Sequence, residues 1–205
     1  EPGKIRPLVE ELVQQSKPLA AERRNLLKLE CAADAGIVFA DPMRLRQVLA
    51  TLLSNACKFT RDGQITLAVS HRDAGDDPGG LRILFQVRDT GIGIPENCLS
   101  DIFTAFSQVY RGPQYRTTGT GLGLTICSQM ADLLGGGISA ASTLGEGSTF
   151  TLSIDAGKTS ELTFIESARS PSTVEPKVDE SYRRVVIDGS RILVVEDGED
   201  NQRII

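Results

Sequence analysis

The chain has 205 residues, 40% hydrophobic and 24% charged, the composition of a soluble globular domain with something attached. Its formal net charge of −5 leaves no basic footprint for nucleic acid, and no apolar run approaches the roughly 20 residues that span a bilayer. A single histidine, His71, argues against a histidine-based metal centre or triad. Cys31, Cys57, Cys98 and Cys127 are scattered without CxxC spacing, so they are expected to be reduced thiols in a cytoplasmic protein.

Taken in chain order, Ile5–Gln15 sets Ile5, Leu8, Val9, Leu12 and Val13 on one helical face. Asn25–Cys31 and Gly36–Ala40 read as strands. Asp41 is an N-cap with Pro42 at the first helical position, opening a helix to about Lys58. Its apolar stripe is Leu45, Val48, Leu49, Leu52, Leu53 and Ala56. Gln64–Arg72 and Leu81–Asp89 alternate, forming a hairpin around the polar loop DAGDDPGG. Asn97–Phe106 reads as a short helix and Ser107–Thr118 as a mobile loop. Leu122–Leu134 reads as a helix ending at the glycines 135–137. Strands at Ile138–Ser142 and Ser148–Ile154 close the domain, which is expected to span residues 1–155.

Residues 156–189 shift to Ser, Glu, Pro, Thr and Val, the composition of a linker. Residues 190–205 then begin abruptly as RILVVEDGEDNQRII. Ile192–Val195 is a continuous apolar run of the kind found in buried parallel strands, ending at Glu196 and Asp197. The chain stops before a second fold could close, so a fragment is expected.

Two glycine-rich turns carry the chemistry. VRDTGIGIPE, Val87–Glu96, places an acid two residues before a Gly-x-Gly, and GTGLGL, Gly119–Leu124, follows about thirty residues on. In the first, the Asp89 carboxylate can accept a hydrogen bond from a base amine while Gly91 and Gly93 leave room for its approach. By itself an Asp-x-Gly-x-Gly is equally a self-capping turn. In the second, Gly119, Thr120, Gly121 and Gly123 precede a helix, so phosphates can meet loop amides and a helix N-terminus together. The GxGxG spacing and the absence of a preceding strand argue against a dinucleotide fold, and no GxxxxGK[ST] P-loop is present. On the Asp41–Lys58 helix, Asn55 offers a hard oxygen suited to Mg²⁺ and Lys58 a point charge for phosphate. The plain alternative is a polar edge on an amphipathic helix. Phe103 and Phe106 are either core aromatics or a hinge, and Arg111 and Arg116 either phosphate contacts or solvated side chains.

The ordered set QVLATLLSNACKFT, DTGIGIPE, IFTAFSQ, GTGLGLTIC and GEGSTFTL resembles the N, G1, F, G2 and G3 boxes of the histidine-kinase catalytic and ATP-binding domain, of the GHKL superfamily. The likeness covers about Ile5 to Ile154. It implies an α/β sandwich of the GHKL (Bergerat) type, a mixed sheet of about five strands covered on one face by three helices. It assigns Mg²⁺ to Asn55, phosphate contact to Lys58 and adenine recognition to Asp89. The implied ATP-binding set also includes Gly91, Gly93, Ile94, Phe106, Arg116, Gly119, Thr120, Gly121, Leu122, Gly123, Leu124, Ser148 and Thr149. The implied activity is transfer of the γ-phosphate of Mg·ATP to a histidine on a separate dimerisation and phosphoacceptor domain. RILVVEDGEDNQ resembles the start of a receiver domain, with Glu196 and Asp197 as an incomplete Mg²⁺ site, which implies a hybrid kinase.

The chain departs from that pattern at several points. Thr51 stands where kinases usually carry a second Asn and GHKL ATPases a catalytic Glu, which disfavours self-contained hydrolysis. Ala105 replaces the common Pro of the F box. Arg116 is displaced by one residue. His71 lies outside any phosphoacceptor motif. The alternatives are a degenerate nucleotide-binding or scaffold module without phosphotransfer, and an ATPase of the gyrase or MutL kind.

Overall fold

A computed structural model describes residues 2–32, 36–73, 80–107 and 120–158. Arg111, Arg116, Gly119, residues 159–189 of the expected linker and the receiver-like segment with Glu196 and Asp197 lie outside the described residues, as does most of the expected 107–118 loop.

The first strand, β1 (Pro2–Lys4), pairs antiparallel with β3 (Ile37–Phe39) as a small separate sheet. Between them run α1 (Ile5–Glu22) and β2 (Leu26–Cys31). Helix α2 (Pro42–Phe59) starts where the cap chemistry places it: Asp41 Oδ1 accepts from the backbone N–H of Met43 at 2.9 Å and of Arg44 at 3.2 Å. Then come the hairpin β4 (Gln64–Asp73) and β5 (Gly80–Asp89), helix α3 (Gly123–Leu133), β6 (Gly137–Thr143) and β7 (Gly147–Lys158).

Five strands form one mixed sheet in the order β2-β4-β5-β7-β6, parallel only between β2 and β4. Alternation sorts its faces. Ile65, Leu67, Ile83, Phe85, Val87, Phe150, Leu152 and Ile154 are buried, packing into one core with Ile5, Val9 and Leu12 of α1, Leu45, Leu49, Leu52 and Leu53 of α2, and Cys127 and Ala131 of α3. Lys28, Gln86, Arg88 and Thr151 alternate with those positions on the other face. The sandwich of a mixed sheet and three helices is the expected GHKL-type fold. All four cysteines are free, Cys57 and Cys127 buried, and His71 stands exposed on β4.

Three expectations change. Strand β7 runs to Lys158, three residues into the expected linker. Helix α1 continues through Pro18 to Glu22, beyond the apolar stripe that ends at Val13. The helix expected at Asn97–Phe106 is a single 3₁₀ turn, Glu96–Cys98, followed by successive turns. There Asp101 N bonds Cys98 O, Thr104 N bonds Asp101 O and Ser107 N bonds Thr104 O, each reaching back three residues instead of four. Leu99, Ile102 and Phe103 still pack on the core, which is why their spacing imitates a helix.

Candidate functional site: the Asp89 loop and the start of α3

Asp89 ends β5 with Ile65 of β4 on one side and Ser148 of β7 on the other. It shares the helix-side face with buried Val87, two residues back, so its carboxylate is largely withdrawn from water. Burial pushes its pKa above the ordinary aspartate range, opposed by hydrogen bonds from the Gly91 and Ser148 backbone and from the Thr60 hydroxyl. Gly91 N lies 2.8 Å from Asp89 Oδ1 and Thr60 Oγ1 lies 3.4 Å from it. Ser148 shares this face, whereas Thr149 pairs with Arg88 and stands on the opposite face, away from Asp89.

The loop after Asp89 is fastened on both sides. Ile92 N donates to Phe59 O of α2 at 3.2 Å, and Gly145 N of the β6–β7 turn donates to Ile92 O at 2.8 Å. Ile94 N donates to Ser142 Oγ at 2.8 Å, and that hydroxyl donates to Gly147 O at 2.7 Å. A β-carbon on Gly91 would collide with Phe59 O, and one on Gly93, at φ +69°, with the Thr143 carbonyl. These two glycines are therefore required by the protein's own close packing, which seats the loop between the end of α2 and the β6–β7 turn.

Helix α2 brings the remaining groups to the same end. Asn55 and Lys58 follow Thr51 by one and two turns, both half-buried. Lys58 Nζ lies 5.1 Å from the centre of the Phe59 ring. Burial lowers the basicity of Lys58, and the nearby Arg23 charge lowers it further.

The second glycine turn meets both α2 and the turns after Cys98. Phe106, at φ +63° and 70% exposed, donates its N–H to Gly121 O at 3.1 Å. Gly121, at φ +71°, has no room for a β-carbon against the Phe106 and Ser107 backbone. Thr120 Oγ1 accepts weakly from Leu122 N at 3.4 Å, Leu122 O accepts from Ile126 N, and Leu124 packs on the core. Among the described residues, neither a side-chain cap nor a first-turn acid satisfies the start of α3. Its first N–H groups are the kind that bind an anion.

The structure thus gathers Asp89, Gly91, Gly93, Ile94 and Ser148 at one loop. It gathers Phe106, Gly121, Leu122, Gly123 and Leu124 at another, and Asn55 and Lys58 on the helix that touches both. Phe59, Thr60 and Ser142 also build the site. Phe59 and Ser142 do so through a backbone carbonyl and a cross-loop hydroxyl, which leave no motif in a sequence.

Residues 40–158 match the family described as histidine kinase-, DNA gyrase B- and HSP90-like ATPase. The circadian input-output histidine kinase CikA of Synechococcus elongatus is 36% identical over 192 residues, 93% of this chain and 22% of CikA. The sensor protein TorS of Escherichia coli is 37% identical over 205 residues, 100% of this chain and 20% of TorS. The chain spans about a fifth of the length of these relatives. Among solved structures, full-length ShkA in complex with AMPPNP superposes with a TM-score of 0.65 at 31% identity, covering 77% of this chain and 32% of that one. The fold agrees with that match, and the chain belongs to the histidine kinase-, DNA gyrase B- and HSP90-like ATPase family.

Proposed function

We propose that this chain is the ATP-binding catalytic domain of a hybrid sensor histidine kinase acting in two-component signalling. The observation that carries the reading is Asp89: a carboxylate withdrawn from water, held by three donors, at the end of a strand beside two glycine-built turns. A buried acceptor so held is suited to the amine of adenine. Lys58 and the first amides of α3 are suited to the phosphates, and Arg116 and Gly119 are proposed to join them.

Among the described residues no three His, Cys, Asp or Glu side chains cluster as a metal cage. Mg²⁺ takes one or two protein oxygens and leaves the rest to phosphate and water, and Asn55 would supply a carbonyl oxygen. When bound, the ion would neutralise phosphate charge. The chain's own residues bind and orient, which is most of what phosphoryl transfer asks of a protein.

The acceptor is proposed to be a histidine on a separate helical dimerisation domain. A receiver beginning near Arg191, with Glu196 and Asp197 as part of its Mg²⁺ site, is proposed on the sequence, and the likeness to TorS extends over that segment. No described helix is long and apolar enough to cross a membrane. We place this domain in the cytoplasm.

Mixing the chain with labelled Mg·ATP and a histidine-bearing helical domain from a related sensor kinase tests the reading. Acid-labile phosphate should appear on the helical domain and require Asp89. ATP binding without transfer would leave a nucleotide-binding module instead.

A further inference from the structure

The turn between α1 and β2 belongs to none of the five motifs, yet it is bonded to the end of α2. Asn25 is buried, 9% exposed. Its Nδ2 donates to Thr60 O at 2.9 Å and, more weakly, to Cys57 O at 3.5 Å. Its Oδ1 accepts from Gly63 N at 3.1 Å. The surrounding backbone adds Leu26 N to Gly63 O at 2.8 Å and Asp62 N to Arg23 O at 3.0 Å. One side chain therefore ties together the cap of α2, the entry to β2 and the entry to β4. Thr60, with no exposed surface, carries the connection onward through its hydroxyl to Asp89.

We propose that Asn25 is a positioning residue for base selection: by fixing the Thr60 carbonyl it holds the Thr60 hydroxyl on Asp89, and so leaves the carboxylate open to a base amine from one direction. The inference rests on the nucleotide reading above and deepens it.

A carboxylate offers about four acceptor sites. Gly91 N, Ser148 N and Thr60 Oγ1 engage three of them. About one is left, and it fits a donor such as the amine of adenine. Releasing the Thr60 hydroxyl frees a second site, which water can occupy and use to bridge a base carbonyl. Discrimination between an amine and a carbonyl on the purine then weakens. A purely structural Asn25 would behave differently, lowering stability and affecting both bases equally.

The test titrates the full chain with Mg·ATP and with Mg·ITP, which carries a carbonyl in place of the amine. Wild type, Asn25→Ala, Asn25→Asp, Thr60→Val and the Asn25→Ala/Thr60→Val pair are compared, each with a melting curve. Asn25→Asp keeps an acceptor for Gly63 N and removes the donor to Thr60 O. Each single variant should cut the ATP:ITP affinity ratio by about tenfold or more, the scale of one hydrogen bond to a charged group. The pair should cut it no further than its larger single change, because both break one connection. Asn25 variants that melt lower but keep the wild-type ratio overturn the proposal. If neither Asn25 variant folds, Thr60→Val decides, and an unchanged ratio there overturns it. A wild type that binds neither nucleotide overturns the nucleotide reading and this inference together, an outcome distinct from the others.

Discussion

Thr51 and Gly123 meet across the seam between α2 and α3, where a β-carbon on Gly123 would stand 3.4 Å from Thr51 Cγ2. The Thr51 hydroxyl turns back onto its own helix, donating to Gln47 O at 2.9 Å. Burial raises the pKa of the Cys127 thiol, whose Sγ donates weakly to Val48 O of α2 at 4.0 Å. Thr51 is thus engaged in packing, one turn before Asn55.

The chain alone should therefore bind Mg·ATP without releasing phosphate from it in a turnover assay, since Thr51 is no general base. Thr51→Val keeps the shape and loses only a bond to the fourth residue back, which contributes little in a helix. Stability should stay within about 0.5 kcal/mol by denaturant titration, with ATP affinity unchanged. A tenfold loss of affinity would instead make Thr51 a nucleotide contact.

The glycines divide by what surrounds them. Gly93→Ala places a β-carbon into the Thr143 carbonyl at a positive φ, and should cost about 3 kcal/mol or more. Gly145, at φ +86°, has nothing within 4 Å, so Gly145→Ala should cost only about 1 kcal/mol. Chemical denaturation of the two variants side by side checks the contrast. Equal costs would mean that the Asp89 loop is not clamped on the β6–β7 turn.

Asp89 makes stability and binding respond oppositely to pH. Its acidity is weakened by burial, so the folded chain keeps a proton that the unfolded chain has released. That contribution to stability is fully present below the unfolded pKa and lost as pH rises through the raised folded one. The stability of Asp89→Asn relative to wild type should therefore increase with pH across that window. ATP affinity should fall as pH drops into the same window, because the ionised carboxylate is the better acceptor for the amine. Denaturation and binding measured over one pH series test both directions.

Lys58 separates phosphate from base. Lys58→Met should lower ATP affinity about tenfold, the scale of a charge-assisted hydrogen bond, and leave adenosine affinity unchanged. Parallel titrations with the two ligands check this. Equal losses for both would mean that Lys58 acts on the pocket's shape.

Much of this was legible in the sequence, because the signals were local. The Asp41-Pro42 cap, the 3.6-residue stripe of α2 and the alternation of β4 and β5 each declare their element within a few residues. Asp89 and its glycines stood out because a turn chemistry repeats there. What stayed hidden is what depends on chain segments meeting. β1 is three residues with no pattern of its own, formed by pairing with β3. The turns from Leu99 to Phe106 keep helical spacing while bonding three residues back. Thr149 sat inside a motif, yet alternation in β7 turns it away from Asp89. Asn25 and Ser142 act through bonds to residues 35 and 48 positions away, which no local window contains.

The most direct test of the nucleotide site is calorimetric titration of the chain with Mg·ATP, repeated on Asp89→Asn and Asn55→Ala. A nucleotide site built on Asp89 and Asn55 predicts binding by the wild type, weakened by Asp89→Asn with or without the metal and by Asn55→Ala only when Mg²⁺ is present. Binding that survives both substitutions unchanged would contradict it, because the nucleotide would then be held elsewhere.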